Sequence, residues 1–157
     1  MKSPQEFAYV GVDPIIVTKD NRIILALRGE GAAIEINKWH IPGGLVKPGE
    51  RIPVTLKRIA KEKTGLDIEL WYKGDLTKSF IKMYDDPSRD PRFHDIALSF
   101  LCEVIGGSMQ AGEKVAEVKA FDFESAKKLD MAIDHKEILL DAIARIEKNG
   151  PFSKKLT

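Results

Sequence analysis

The spacing of apolar residues along the chain predicts strands separated by polar turns. One apolar run covers residues 7–17, and a turn at residues 19–21 separates it from a second run at residues 22–27, which predicts a β-hairpin. Pro14 has no N–H group, so the first strand is expected to be bent or to lie at the edge of a sheet. Further strands are predicted at residues 39–42, 67–72, 77–83, 96–104 and 114–123.

Helical spacing follows a glycine-rich turn. Pro53 is acceptable in a first helical turn, Leu56, Ile59 and Ala60 recur at helical spacing, and Gly65 supplies a C-terminal stop. A short helix is predicted at residues 124–129, and a last helix is predicted to end at residues 149–151. The apolar face of that last helix consists of Ile138, Leu139, Ala142, Ile143 and Ile146.

Asp134 and Glu137 have the three-residue spacing of a capping box at the start of the last helix. Strands and helices together, without a repeat or a linker, predict one mixed α/β domain over residues 1–157. Residues 153–157 are expected to be frayed, because terminal residues are poorly ordered unless they are tied down.

The glycine-rich turn is the first candidate for chemistry. Gly43 and Gly44 follow a short apolar strand, and glycine lets the backbone approach a ligand closely. Glu50 lies in the loop before the helix, where it is expected to fold back onto Arg58. We expect Gly43 and Gly44 to contact substrate and the Glu50 and Arg58 pair to be structural.

This segment resembles the Nudix box, in which a glycine, a glutamate, an arginine, further glutamates and a closing glycine occur at fixed spacing. Gly44, Glu50, Arg58, Glu62 and Gly65 fall in that register. The resemblance covers the whole chain and implies the Nudix fold, a mixed β-sheet sandwiched between helices. It also implies a nucleoside diphosphate derivative as the small-molecule ligand, Mg²⁺ bound by three box glutamates, and a homodimer, since family members are commonly dimers.

The box departs from the family pattern at the metal-binding positions. The residues one, four and five positions after Arg58 are Ile59, Glu62 and Lys63, so three negative charges are replaced by a formal sum of zero. Divalent cations depend on such charges, because each unit charge at contact range changes the interaction by kcal/mol. We therefore expect Mg²⁺, or Mn²⁺ in its place, to bind weakly without substrate.

Other oxygen atoms are candidates for the missing ligands. The resemblance implies a metal held by Glu62, the carbonyl of Gly44, and Glu113 or Glu117. The same glutamates are the candidate catalytic carboxylates. Two interpretations of Lys63 stay open: a solvated residue near the helix C-terminus, or an ammonium that stands where a metal would and contacts the diphosphate directly.

A polar loop at residues 84–94 is the second candidate. Arg89 and Arg92 are candidate substrate-binding residues, since the planar fork of arginine suits phosphates. The alternative is a solvated loop in which arginines and aspartates pair with each other. The run that contains both arginines and His94 resembles ADP-ribose pyrophosphatases within the Nudix family, as do Glu113 and Glu117.

A second branch is also similar. Val12 and Asp13 with the apolar strand behind them, and the residues from Trp39 to Gly44, resemble GDP-mannose mannosyl hydrolases, which cut at the sugar carbon. His94 would be the general base there, because imidazole titrates near neutrality. Lys63 departs from that branch, which keeps a glutamate at its position.

Composition narrows the setting. The chain is 43% apolar and 31% charged, which is ordinary for a globular protein, and its net charge of +1 gives no reason to expect nucleic acid or a membrane surface as partner. The single cysteine, Cys102, excludes an internal disulfide framework. No apolar run of membrane-spanning length or signal peptide is found, so the cytoplasm is expected.

Two function classes follow. The first is a hydrolase of a nucleoside diphosphate linked to a sugar, with weakened metal dependence. The second is a Nudix-fold protein that binds such a ligand without cutting it. His40, His135 and Cys102 are interpreted as packing residues, since histidine is often satisfied locally and no motif activates the thiol.

Overall fold

The computed structural model describes residues 5–149 and contains one mixed sheet with helices on both faces. The strands are β1 (Tyr9–Val17), β2 (Arg22–Arg28), β3 (Trp39–His40), β4 (Gly44–Leu45), β5 (Leu66–Leu70), β6 (Phe80–Tyr84), β7 (Asp95–Gly107) and β8 (Val115–Asp122). The helices are α1 (Ile52–Thr64), α2 (Trp71–Gly74), α3 (Leu76–Ser79), α4 (Phe123–Ala126) and α5 (His135–Asn149). None of the helices in residues 5–149 has the length and apolar character needed to cross a membrane.

The sheet order is β3-β2-β1-β7-β5, with β4 on β1, β6 on β7 and β8 on β2. β1 and β7 are parallel along the whole of β1, whereas the other pairs are antiparallel. The predicted hairpin of β1 and β2 is present, with Asn21 in the left-handed region at φ 68°. This arrangement confirms the predicted α/β class.

Alternate residues of β1 feed two separate cores. Val12 and Ile16 pack with α1 on one face of the sheet, and Ile15 and Val17 pack with α4 and α5 on the other. A strand covered on both faces is expected to be almost continuously apolar. Asp13 is the exception within this run, and only 6% of it is exposed.

Helix α1, called the box helix here because it contains Arg58 and Glu62, begins and ends where its sequence predicts. Pro53 lies in its first turn, and Gly65 caps its C-terminus in the left-handed region at φ 76°, with its N–H donating to the carbonyl of Lys61. A Cβ atom at Gly65 would overlap with the carbonyl oxygen of Ser108, so only glycine fits there. The helix therefore has defined ends on either side of its buried face.

Several predicted boundaries were wrong. β1 begins at Tyr9, not at residue 7, and β7 runs from Asp95 to Gly107, beyond both ends of the strand predicted at residues 96–104. The strands predicted at residues 67–72 and 77–83 lose one end each to the short helices α2 and α3. Tyr72 and Lys73 adopt φ near +60°, a conformation that breaks a strand and that their apolar pattern does not indicate.

Two further expectations need correction. Pro14 does not mark an edge, because β1 lies between β7 and β2. Pairing on the β2 and β4 side occurs at Gly11, Val12 and Val17, so the position of the proline is free of a ladder partner there. The carboxylate of Asp134 does not act as the predicted helix cap but binds Arg89. Residues 150–157, with the end of the predicted stop and the predicted frayed tail, lie outside the described residues.

Candidate functional site

Glu50 and Arg58 form the predicted pair between the glycine-rich loop and α1. Nε of Arg58 lies 2.7 Å from Oε2 of Glu50, and Nη2 lies 2.9 Å from Oε1, which is bidentate geometry. Arg58 also donates to the carbonyl of Leu45, and the Glu50 carboxylate accepts from the N–H of Lys47 and the hydroxyl of Thr55. The hydrogen bonds from Arg58 and Lys47 lower the pKa of Glu50 to about 2. This cluster holds the loop against the helix.

The two glycines bring the loop against β1 and α1. A Cβ atom at Gly43 would overlap with Oδ1 of Asp13, and one at Gly44 would lie 3.0 Å from Cδ1 of Ile59. Glycine is needed at position 43 for this close approach rather than for an unusual φ angle. The consequence is that Asp13 and Ile59 border the loop that was expected to contact substrate.

A cavity of about 300 Å³ opens beside this loop. It lies between β1, the end of β2, the residues after β3, the loop before β7 and the start of α5. Its polar and ionisable lining consists of Asp13, Arg28, His40, Lys63, Arg89, Asp90, Arg92, Asp95 and His135, with Gly43 and Gly44 at its wall. Cavities of this size with converging polar groups are typical of small-molecule sites.

Lys63 and Arg28 are the two cations of the cavity without an ion pair among residues 5–149. Nζ of Lys63 donates to the carbonyl of Gly43 at 2.5 Å, and Nε of Arg28 donates to the carbonyl of Ile34 at 2.7 Å. Burial, and next the charge of Arg28, lowers the pKa of Lys63 to about 8. Burial and the neighbouring charge of Arg92 lower the pKa of Arg28 as well. The charges of Asp13 on Lys63 and of Glu35 on Arg28 oppose these shifts, so each cation has opposite charge nearby but no ion pair among residues 5–149.

The arginines of the polar loop at residues 84–94 pair with aspartates, as in one of the two interpretations of its sequence. Arg89, whose side chain is 7% exposed, donates to both carboxylate oxygens of Asp134 at 2.7 and 2.9 Å and to Asp95 at 3.2 Å. Arg92 pairs with Asp90 at 2.8 Å. Both arginines still line the cavity, but their charges are balanced.

Asp13 is the cavity carboxylate without a hydrogen bond to any described residue, and burial raises its pKa to about 7. The charge of Arg89 opposes that shift, whereas Asp95 and Asp134 add to it. A buried carboxyl with a near-neutral pKa in a cavity is a functional-site candidate. Asp13 was not among the predicted site residues, although an aspartate inside an otherwise apolar strand was a signal for it.

Two histidines at the cavity are neutral near pH 7. Burial lowers the pKa of His40 to about 2 and that of His135 to about 4. Nδ1 of His135 accepts a hydrogen bond from the N–H of Ile41 at 2.9 Å, and Nδ1 of His40 is buried without a partner among the described residues. His135, interpreted from sequence as a packing residue, both packs and lines the cavity.

The glutamates predicted as catalytic or metal-binding residues lie outside this cavity. Glu62, with its side chain 56% exposed, pairs with Arg58 at 3.3 Å. Glu62 and Glu113 line a separate depression of about 390 Å³ with Lys63 and Lys114. Glu117 is exposed on β8, opposite Leu27.

His94, the predicted base, is not part of the cavity lining. Its Nε2 lies 3.2 Å from the carbonyl of Asp85, and its N–H donates to the side chain of Gln5. Within residues 5–149, no three His, Cys, Asp or Glu side chains are grouped so that they would hold a metal ion. The side chains present therefore do not fit the three-carboxylate metal site that the Nudix resemblance implies.

Comparisons with known proteins agree on the family. The family model described as the NUDIX domain matches residues 9–142. An ADP-ribose pyrophosphatase from Methanocaldococcus jannaschii is 38% identical over 132 residues, which are 84% of this chain and 71% of that protein.

Two solved structures share the fold. The NUDIX domain of Shewanella oneidensis NrtR, complexed with ADP ribose, has a TM-score of 0.72 at 20% identity and covers 90% of each chain. A bifunctional NMN adenylyltransferase/ADP ribose pyrophosphatase from Francisella tularensis, complexed with AMP and a manganese ion, has a TM-score of 0.72 at 22% identity. This chain is covered over 91% of its length and that chain over 43%. On its sequence, its fold and its box, the chain belongs to the Nudix family.

Proposed function

We propose that the cavity binds a nucleoside diphosphate linked to a sugar, of the ADP-ribose class. One observation carries this proposal: Lys63 and Arg28 lie close enough in the cavity for the charge of Arg28 to lower the pKa of Lys63, and neither has an ion pair among the described residues. An anion between them would relieve their repulsion. Phosphate oxygens suit both groups, since arginine binds them through a planar fork and lysine as a point charge.

The ligand class follows from the surroundings of these cations. A backbone loop with two glycines borders them, and the paired Arg92 stacks over Phe93 at 4.9 Å at the same cavity. The similarity to an ADP-ribose pyrophosphatase and to a domain complexed with ADP ribose supports ADP-ribose as the first ligand to test. GDP-mannose is the second, because it carries the same diphosphate linked to a sugar.

Isothermal titration calorimetry with ADP-ribose, GDP-mannose and ribose 5-phosphate tests this proposal. We expect one diphosphate sugar to bind and ribose 5-phosphate to bind much more weakly. Arg28→Lys, which keeps the charge and loses the fork, should weaken binding, whereas Arg22→Lys, at an exposed position, should not change it. Failure of both diphosphate sugars to bind, with and without Mg²⁺, would overturn the proposal.

Slow hydrolysis of the same ligand is the second candidate function. Nudix hydrolases generally use a divalent metal, and the box carboxylates for it are reduced to Glu62 here. Asp13 favours hydrolysis nevertheless, because a carboxyl with a pKa of about 7 is suited to accept a proton from water near neutral pH. It lines the same cavity as the two unpaired cations.

Product analysis decides between the two candidates. Each bound ligand is incubated with Mg²⁺ or Mn²⁺, and hydrolysis by the wild type, lost in Asp13→Asn, would support the second candidate. Running the reaction in ¹⁸O water distinguishes two modes of attack, because label in a phosphate product shows attack at phosphorus and label in the free sugar shows attack at carbon. Binding without any product leaves the protein as a nucleotide-sugar binder.

A further inference from the structure

We propose that the ammonium of Lys63 takes the role of a divalent cation, so that the ligand diphosphate is held by Lys63 and Arg28 in the absence of metal. This inference rests on the proposed function, since it concerns the same ligand and the same cavity. It assigns a metal-independent mode of diphosphate binding to a chain whose family generally uses a divalent metal.

The ammonium of Lys63 lies against the glycine-rich loop. Lys63 lies in the last turn of α1, yet its side chain does not extend into solvent at the helix C-terminus. Nζ reaches across to the glycine-rich loop and lies 2.5 Å from the carbonyl oxygen of Gly43. A positive charge bound to this loop carbonyl occupies the cavity wall next to the proposed phosphate position.

Ile59, at the first of the three metal-binding positions of the box, provides no ligand for a metal. Ile59 is 2% exposed and belongs to the core between α1 and the sheet. Its Cδ1 would lie 3.0 Å from a Cβ atom at Gly44, so an apolar group fills the space under the loop. Glu62, the one carboxylate of the box face, is turned toward Arg58. A hard divalent cation needs several oxygen ligands, which this arrangement does not supply.

The charges around the cavity are unevenly paired. The two arginines of the polar loop at residues 84–94 pair with three aspartates, whereas Lys63 and Arg28 have no ion pair among residues 5–149. With Asp13 ionised, these four cations and four aspartates sum to zero, and protonation of Asp13, whose pKa is about 7, leaves one positive charge. An added divalent cation would be repelled by Lys63 and Arg28, whereas a diphosphate would be attracted by them.

Titration of ADP-ribose in EDTA and in Mg²⁺ tests the inference. We expect the wild type to bind with a dissociation constant that differs by less than about threefold between the two buffers, and to bind no Mn²⁺ on its own. Lys63→Met should weaken binding by about 10- to 100-fold, as expected for the loss of a charged hydrogen bond to phosphate. Lys63→Arg, which keeps the charge, should retain most of the affinity.

Lys61→Met is the matched control. Lys61 lies on the same helix, but its side chain is 57% exposed and pairs with Asp67 on the surface. We expect this variant to bind ADP-ribose as the wild type does. Thermal unfolding of each variant separates a loss of binding from a loss of fold.

The double substitution Ile59→Glu and Lys63→Glu tests the inference in reverse. It recreates the box carboxylates, so we expect it to bind Mn²⁺ in paramagnetic resonance titrations and to bind ADP-ribose only with metal. Wild-type binding of ADP-ribose that requires Mg²⁺, tight Mn²⁺ binding by the wild type alone, or unchanged affinity in Lys63→Met would each overturn the inference and leave the proposed function standing. Absence of diphosphate-sugar binding in both buffers would overturn the proposed function and this inference with it.

Discussion

The two sides of the box helix differ in how closely they follow the Nudix pattern. Arg58, on the side that meets the loop, forms the expected bidentate pair with Glu50. At the positions of the expected metal ligands, Ile59 packs in the core and Lys63 lines the cavity, so two of the three expected carboxylates are replaced. One helix thus contains the arginine that binds the loop as in the family pattern, next to positions where the metal-binding carboxylates of the family are replaced. The pair of Glu50 and Arg58 is called the loop anchor below.

The loop is connected to α1 by protein side chains. Arg58 binds both Glu50 and the carbonyl of Leu45, and Lys63 binds the carbonyl of Gly43, so each end of the loop is tied to α1 by a side-chain cation. The loop is held by protein hydrogen bonds, and the cavity face is free to vary in chemistry. Substitutions can therefore change the loop anchor and the altered positions of the helix separately.

Truncation of the core residue of the box, Ile59, should have the largest effect on stability. Ile59→Ala removes methyl groups from a fully packed position and is expected to lower the free energy of unfolding by about 2–5 kcal/mol. Val54→Ala, at a position of the same helix that is 53% exposed, should change it by less than about 0.5 kcal/mol. Urea unfolding measures both. Equal effects would show that Ile59 is not a packing residue.

The buried carboxyl of the cavity should make stability depend on pH. The pKa of Asp13 is raised to about 7 in the folded state, so the folded protein binds more protons than the unfolded chain between about pH 4 and pH 7. Stability contributed by protonated Asp13 is therefore lost as the pH rises through this window. Between pH 5 and pH 7 this contribution of Asp13 should fall by about 2 kcal/mol, whereas the contributions of the buried His40 and His135, whose pKa values are lowered, change in the opposite direction.

Asp13→Asn is the variant that checks this pH dependence. It removes the titrating group and keeps the shape, so the free energy of unfolding of the wild type minus that of Asp13→Asn, measured in urea at each pH, should fall from pH 5 to pH 7. A wild-type free energy of unfolding that increases from pH 5 to pH 7 relative to Asp13→Asn would contradict the assignment.

The loop anchor should show the opposite pH dependence. Because the pKa of Glu50 is lowered to about 2, its contribution to stability is present above about pH 4.5 and is lost as the pH falls toward 2. Arg58→Met should lower the urea midpoint at pH 7 and reduce this loss in acid. Lys57→Met, which removes an exposed pair with Glu69 at 3.1 Å, should lower the midpoint less.

The smallest effect on ligand binding is expected for His94, which lies outside both the box helix and the cavity lining. His94 was the predicted base, but it lies outside the cavity lining. His94→Ala should change the dissociation constant for ADP-ribose by less than about twofold, which is the size typical of surface substitutions. A tenfold loss of affinity for ADP-ribose in calorimetry would show that the polar loop at residues 84–94 contributes to ligand binding.

Local signals in the sequence were sufficient for the box helix, the hairpin and the pair of Glu50 with Arg58. Each depends on residues close together along the chain: a proline in a first turn, a glycine at a C-terminus, or a loop only a few residues from its helix. The resemblance to the Nudix box added the fold, because its residues occur in register around the same turn. These features are determined by short-range geometry, which spacing describes well.

Sequence patterns gave wrong predictions where the local structure is decided by contacts with residues far away in the chain. The apolar run at residues 67–72 was predicted as a strand, but its last residues turn into α2, where Tyr72 and Lys73 have positive φ. Asp134 has the spacing of a capping residue, yet Arg89, 45 positions away, binds its carboxylate. A contact of that separation is invisible to a local pattern.

The cavity itself was decided by tertiary structure. Asp13 comes from β1, Arg28 from the end of β2 where a bulge shifts the register with β8, and Lys63 from α1. A bulge changes where a side chain points, and period-two alternation does not predict it. The sequence by itself determined that the box had lost carboxylates. Only the packing of the sheet against α1 placed a lysine and an arginine, neither with an ion pair among residues 5–149, at one cavity, since their charges interact through space and not along the chain.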